Sequence, residues 1–401
     1  MSVRPASAGL MNSEPNPPPM TRSLFAKRME GLQVSGVRKM FELAPKGAIN
    51  LGLGEPDFPP PPHVAEALGK AVLSGKNGYG PTLGVPELRN AVVEYVKRFR
   101  SDVEQRNVMI TCGATQALMV AAQTLYNQGD EIIIPDPGFV LYAPHARMAG
   151  AKPFPYKLSQ ENDFRPDMEE LKDLVSPRTK AIIVNSPGNP TGGVFTRDDL
   201  KAIADLAADY KVVVISDEVY DSIVYDAPHE SFLSASDLLV YVNSFSKVYS
   251  LTGWRVGFMV TSGEIMTEMA KTHYYDVACP STPAQHAALA GMRGQQAFID
   301  ERRQEYKARR DLLVKSLNTI EGFACTPPKG TFYAFPGFDF DITSHDLAML
   351  ILKAGVICTP GTAFGQAGEG HIRFSFAASR EDIEKAMPIV ENAVKGLKRK
   401  K

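Results

Sequence analysis

The chain has 401 residues, 44% hydrophobic and 22% charged, an ordinary composition for a soluble globular protein of two or three domains. Its 44 basic and 45 acidic residues leave a net charge of −1, which excludes the basic field expected of a nucleic-acid or anionic-membrane binder. The 4 cysteines (Cys112, Cys279, Cys325 and Cys358) have neither metal-ligand spacing nor a small disulfide framework, so reduced thiols in a cytoplasmic protein are expected.

The first twenty residues are rich in Pro, Ser, Asn and Met and lack the apolar core of a signal peptide. A disordered leader is expected there, with Met11 and Met20 as alternative starts. No apolar run approaches the ~20 residues that a membrane helix needs. Pro61-Pro62 precedes an amphipathic helix from Val64 to Leu73, and Pro86 opens another with Leu88, Val92, Val93 and Val96 on one face. Then follow a strand at 108–111, a helix from Ala114 to Leu125 and a strand at 131–134. Further strands are expected at 181–184, 212–215 and 238–242, with a helix from Arg197 to Tyr210 between the first two. These strands are apolar throughout rather than alternating, which reads as an α/β fold with a mostly parallel sheet covered on both faces. From about residue 295 the pattern changes to a long charged helix (Gln295 to Leu317) and short strands near 323–326 and 331–335. A helix at 344–354, a strand at 370–376 and a helix from Arg380 complete it. This reads as a large domain, 61–295, and a smaller α+β domain, 296–401. The segment 21–60, with no sheet of its own, is expected to join the smaller one.

Ligands of parallel sheets bind at the carboxyl ends of the strands. After Val184 an irregular turn with two prolines and two glycines holds Asn189; a purely structural turn is the alternative. After Ile215 comes Asp217, which at the end of a buried strand needs a cationic or strongly donating partner, unless it simply caps the next helix. After Val242 comes Asn243-Ser244-Phe245-Ser246-Lys247, whose lysine is either a surface residue or an amine for Schiff-base chemistry. Arg255, beside the only Trp, suits a phosphate clamp. Small residues after Thr111 (Cys112-Gly113-Ala114-Thr115) let helix N–H groups approach a phosphate, or form a plain strand–helix turn. Gly52-Leu53-Gly54 is not a dinucleotide fingerprint, because Asp57 stands where the third glycine belongs and no helix follows.

At this point the sequence resembles the class I aminotransferases, fold type I among pyridoxal-phosphate enzymes, from about Arg22 to Val394. The matching segments are Gly54-Glu55-Pro56-Asp57-Phe58, Asn189-Pro190-Thr191-Gly192, Asp217-Glu218-Val219-Tyr220, Ser244-Phe245-Ser246-Lys247 with Arg255, and His371-Ile372-Arg373-Phe374-Ser375. Val34-Ser35-Gly36-Val37-Arg38 and Tyr79-Gly80-Pro81 resemble archaeal aspartate and aromatic aminotransferases. The resemblance implies a mostly parallel seven-stranded sheet in the large domain, pyridoxal 5′-phosphate as cofactor and no metal. It implies that Lys247 carries the cofactor and moves the substrate α-proton, that Asp217 pairs with the ring nitrogen, and that Asn189 and Tyr220 bond the ring oxygen. Phe139 would stack on the ring, while Gly113, Ala114, Thr115, Ser244, Ser246 and Arg255 would hold the phosphate. Arg373, with Gly54 near, would grip the substrate α-carboxylate. Tyr79 would reach the phosphate of a second subunit, so a homodimer is implied. Some relatives carry a lysine where Thr115 stands, which helps recognise an acidic side chain, so its absence makes a neutral or aromatic substrate more plausible.

The expected function is transfer of an amino group from an L-amino acid to a 2-oxoacid, with 2-oxoglutarate as acceptor. The alternative is a carbon–sulfur β-lyase on the same fold. A non-enzymatic regulator would need a DNA-binding module, for which the short leader leaves no room. No nucleic-acid or membrane partner is expected.

Overall fold

The structure, a computed structural model, describes residues 24–32 and 35–400. The expected leader, 1–20, lies outside the described residues.

A seven-stranded sheet forms the centre of the larger core. Its strands are β2 (Val108–Thr111), β3 (Glu131–Asp136), β4 (Lys152–Lys157), β5 (Thr179–Asn185), β6 (Val213–Asp217), β7 (Leu239–Ser244) and β8 (Gly257–Thr261), in the spatial order β2-β8-β7-β6-β5-β3-β4. Only β8 runs antiparallel to its neighbours, so the sheet is mixed but mostly parallel. The apolar runs have a direct cause. Ile133, Ile182, Val214 and Tyr241 enter a core on one face, while Ile132, Ile183, Ile215 and Val240 enter a second core on the other. Successive side chains of a strand point to opposite faces, so a sheet covered on both leaves no polar position.

Two strands were not legible beforehand. β4 carries Pro153 and Pro155, which read against a strand; it sits at the sheet edge, where a proline without an N–H is tolerated. β8 is a five-residue strand opened by Gly257, where a Cβ would lie 2.9 Å from Gly113 Cα and 2.9 Å from Asn243 O. The missing side chain lets β7, β8 and the turn after β2 converge.

The covering helices are α2 (Pro62–Leu73), α3 (Pro86–Val96), α4 (Ala114–Leu125), α5 (Tyr142–Met148), α6 (Met168–Leu174), α7 (Arg197–Tyr210), the single turn α8 (Phe245–Val248), α9 (Gly263–Val277) and α10 (Thr282–Arg293). α2 and α3 begin at prolines, and α7 at a Thr196/Asp199 capping box, which satisfies N–H groups that a helix start otherwise leaves open.

A separate core joins α1 (Gly36–Glu42) and β1 (Ile49–Asn50) to the C-terminal third. There α11 (Ala297–Thr319), α12 (Ser344–Ala354) and α13 (Arg380–Val394) pack on short strands β9 (Phe323–Ala324), β10 (Tyr333–Ala334), β11 (Gly337–Phe338), β12 (Val356–Ile357), β13 (Thr359–Pro360) and β14 (Ile372–Ser375). β1 pairs in parallel with β12, and Met40 and Leu51 are buried among Leu313, Ile351 and Ile383. β14 lies between β10 and β13. Arg309 on α11 binds Asp57 and the carbonyls of Ala377 and Ala378, tying the 54–58 segment to this core. Among the described residues, no helix is long and apolar enough to cross a membrane, and no three His, Cys, Asp or Glu residues form a metal-binding group.

Candidate active site

The register of the sheet brings the chemistry together. Asn185 on β5 is level with Asp217 on β6, which is level with Val242 on β7, and Ser244 is level with Gly257. The strand ends therefore open onto one cavity of about 410 Å³, between the large sheet and β14. Lys247, Asp217, Tyr220, Asn189, Phe139, Ala114, Thr115, Ser244, Ser246, Arg255, Gly54 and Arg373 all line it. Gly113 lies just behind, and Tyr79 is 94% exposed on the surface, apart from the cavity of its own chain.

Lys247 sits on α8, directly after β7, and its Nζ donates to Gly54 O at 2.6 Å. Burial lowers the pKa of this amine, and the Arg373 and Arg255 charges add to the effect against Tyr333 and Glu55. Asp217 is buried at the end of β6. Its Oδ2 accepts a hydrogen bond from Tyr142 Oη at 2.8 Å, while its Oδ1 has no partner among the described residues. Burial pushes its carboxyl up to about 6; Tyr142 and the nearby Val219 N–H hold it down, the latter without reaching hydrogen-bond geometry. A buried carboxylate oxygen with a free lone pair is costly, and a cationic donor offsets that cost.

The turn after β5 is fixed by Asn185, whose Oδ1 accepts from Asn189 N at 2.9 Å and whose Nδ2 donates to Asp217 O at 2.9 Å. Asn189 Oδ1 in turn accepts from Arg373 Nη1 at 2.9 Å, and Arg373 Nη2 donates to Gly52 O at 2.5 Å. Arg373 is buried, its Nε has no partner among the described residues, and its guanidinium lies 4.2 Å from the Tyr333 ring centre and 4.6 Å from that of Phe364. Tyr220 and Tyr333 share a hydrogen bond at 3.0 Å, and burial, with Tyr333 beside it, holds the Tyr220 phenol well above its ordinary pKa.

At the other end, Gly113 caps α4 with φ of 80°, and a Cβ there would meet Arg255 Nη2 at 2.7 Å. Glycine thus lets the guanidinium approach the open N–H groups of Ala114 and Thr115. Arg255 is held by Thr252 O at 2.9 Å and lies near Cys112 O. Its sequence neighbour Trp254 packs against the large core. Ser244 Oγ bonds Ser246 Oγ at 2.9 Å, placing two hydroxyls beside this corner.

Sequence reasoning missed Tyr142, Tyr333, Phe364 and Asn185. Tyr142 lies three residues after Phe139 and opens α5, beyond the end of β3, so the strand-end rule that found Asp217 does not reach it. Tyr333 lies in the strand expected at 331–335, but the facing of a two-residue strand is not readable from its pattern.

An amine of lowered pKa, a half-satisfied buried carboxylate and a buried arginine share one cleft, and known sequences and structures resemble this chain over most of its length. The family Aminotransferase class I and II matches residues 46–389. The chain belongs to that family. A probable aspartate aminotransferase of Methanocaldococcus jannaschii is 40% identical over 92% of this chain and 99% of its own length. An aspartate aminotransferase of Pyrococcus horikoshii is 41% identical over 93% of this chain and 98% of its own. The crystal structure of an aromatic aminotransferase from Pyrococcus horikoshii superposes with a TM-score of 0.84 at 39% identity, covering 90% of this chain and 98% of that one. This aminotransferase is therefore a transaminase with the fold the sequence resemblance implied. Its relatives give no support to the carbon–sulfur lyase alternative.

Proposed function

We propose that this aminotransferase uses pyridoxal 5′-phosphate to move the amino group of an L-amino acid, aspartate or a neutral or aromatic one, to a 2-oxoacid. The acceptor is 2-oxoglutarate, in a ping-pong exchange. The observation that carries the reading is the unpartnered, buried Asp217 Oδ1 in the same cavity as the Lys247 amine. The residues fit the cofactor at each end: Asp217 offers an acceptor for a ring N–H, and the Gly113–Thr115 helix start with Arg255, Ser244 and Ser246 offers a phosphate cradle. When bound, the cofactor would supply an aldehyde for the amino group and a protonated ring to take up the electron pair left on the α-carbon when the α-proton departs.

The chain's own groups do the rest. Burial lowers the pKa of Lys247 Nζ, which favours the neutral amine needed to carry the cofactor covalently and afterwards to take the α-proton. Asp217 keeps the ring nitrogen protonated, and Tyr142 steadies the carboxylate. Asn189, through Nδ2, and Tyr220, through Oη, face the ring oxygen, and Phe139 covers the ring. Arg373 binds the α-carboxylate as a fork, beside the Gly54 backbone. Residues 61–295 form the cofactor-binding domain and 21–60 with 296–401 the smaller one, and both contribute lining to the cavity. The exposed Tyr79 suits a homodimer in which each subunit contributes to the other's phosphate site, in a cytoplasmic enzyme.

The test is a half-reaction screen of twenty amino acids on the loaded protein without oxoacid, reading the bound cofactor's absorbance. At least one amino acid should change the band and release its 2-oxoacid. Release of pyruvate and ammonia from cysteine conjugates, with no amino acid changing the band, would contradict transamination.

A further inference from the structure

Four cationic side chains among the described residues line the cavity: Lys247, Arg255, Arg373 and Arg38. In the reading above the first three meet the amino group, the phosphate and the α-carboxylate. Arg38 has no such use. It stands on α1, whose start is capped by Ser35 Oγ accepting from Arg38 N. Two contacts hold α1 over the cavity. Met40 is buried in the smaller core, and Gly36 lies so close to Ala363 that a Cβ would come within 2.8 Å of its side chain. Arg38 Nε donates to Glu42 Oε1 at 2.7 Å, with the two side chains 68% and 55% exposed. An exposed pair of this kind contributes little and yields readily to a better anion. The cavity is also lined by the apolar Val37, Phe41, Leu53, Val140, Leu141 and Phe364, and Thr115 brings no charge.

We infer that Arg38 is the residue that admits a second carboxylate. The inference rests on the assignment of Arg373 to the α-carboxylate. A substrate held there, with its amino group at Lys247, extends its side chain toward what remains of the wall. A dicarboxylic amino acid or oxoacid meets the Arg38 guanidinium, whose Nη groups form no hydrogen bond within the described residues, in exchange for Glu42. A neutral or aromatic side chain meets the apolar residues, and Glu42 keeps Arg38. One cavity thereby accepts both classes without a lysine at position 115.

The test compares the loaded wild-type enzyme with Arg38→Gln, Arg38→Lys and Glu42→Gln. One readout is the ratio of kcat/KM for glutamate to that for leucine. A second is the dissociation constant of maleate, a dicarboxylate that cannot donate an amino group. In Arg38→Gln the ratio should fall about tenfold or more, through KM rather than kcat, and maleate should bind correspondingly less tightly. Arg38→Lys should retain part of both, and Glu42→Gln should raise the ratio. An unchanged ratio and unchanged maleate affinity in Arg38→Gln would place the second carboxylate elsewhere and overturn the inference. Failure of every amino acid to react with the wild-type enzyme would be a different result. It would remove the assignment of the site itself, and this inference with it.

Discussion

Replacing Gly54 by alanine tests how tightly the cavity is built. Gly54 has no left-handed backbone to lose, so the perturbation is one methyl group. That methyl would lie 1.6 Å from Tyr333 Oη and 2.6 Å from Cζ. To reach ordinary contact near 3.5 Å, the hydroxyl has to move roughly 2 Å. Tyr333 cannot yield quietly: its hydroxyl bonds Tyr220 and its ring lies on Arg373, while the Gly54 carbonyl accepts from Lys247. Overpacking costs about 1–3 kcal/mol and the lost hydrogen bond about 1 more. Displacement of Lys247 or Arg373 by about 1 Å is worth roughly a hundredfold in rate. Gly54→Ala should therefore lower stability by about 2–4 kcal/mol in denaturant unfolding and kcat/KM by about two orders of magnitude. Adding Tyr333→Phe removes the worst contact and should return part of the stability. A Gly54→Ala enzyme with wild-type kcat/KM would refute the packing argument.

Three further outcomes follow from the geometry. In Tyr142→Phe, Asp217 loses the hydrogen bond that opposes the effect of burial, so its pKa rises above about 6. The ionised carboxylate is then lost at higher pH, and cofactor affinity should weaken about one pH unit earlier on acidification; coincident affinity–pH curves for variant and wild type would contradict this. Arg373→Lys keeps the charge but loses the fork, so KM for every donor should rise about tenfold or more while the bound-cofactor band persists; unchanged KM values would mean that another group holds the α-carboxylate. Arg309→Leu leaves Asp57 and two carbonyls without their donor, while Glu305 keeps Arg380, and both carboxylates are partly exposed. A loss of about 2–3 kcal/mol in denaturant unfolding is expected, at the low end for a broken buried ion pair; a neutral effect would remove Arg309 as a tie between the 54–58 segment and the C-terminal third.

The parts of the molecule legible in the sequence share one property: their pattern has a single physical cause. β3, β5, β6 and β7 are apolar on both faces because both faces are covered, and α4 and α7 show their ends through small or capping residues. Asp217, Lys247 and Asn189 stand at strand ends, where the fold puts ligands, and motif resemblance joined them to Arg373 in advance. What was not legible depended on tertiary position. No strand is expected at β4 from the sequence, and its prolines fit only its place at the sheet edge. Arg255 is expected as a phosphate clamp beside the only Trp, but nothing local shows that Trp254 packs against the large core. Tyr333 and Phe364 reach the cavity from short or separate elements whose approach no local pattern encodes, whereas the segment around 35–38 is expected from the sequence to bear on the donor side chain.

The central claim is that Lys247 carries the cofactor. Borohydride reduction of the loaded protein, followed by peptide mass spectrometry, should place one cofactor mass on the peptide containing Lys247 and none on the Lys247→Ala variant. Label on a different lysine, or the same yield of label in Lys247→Ala, would contradict the account.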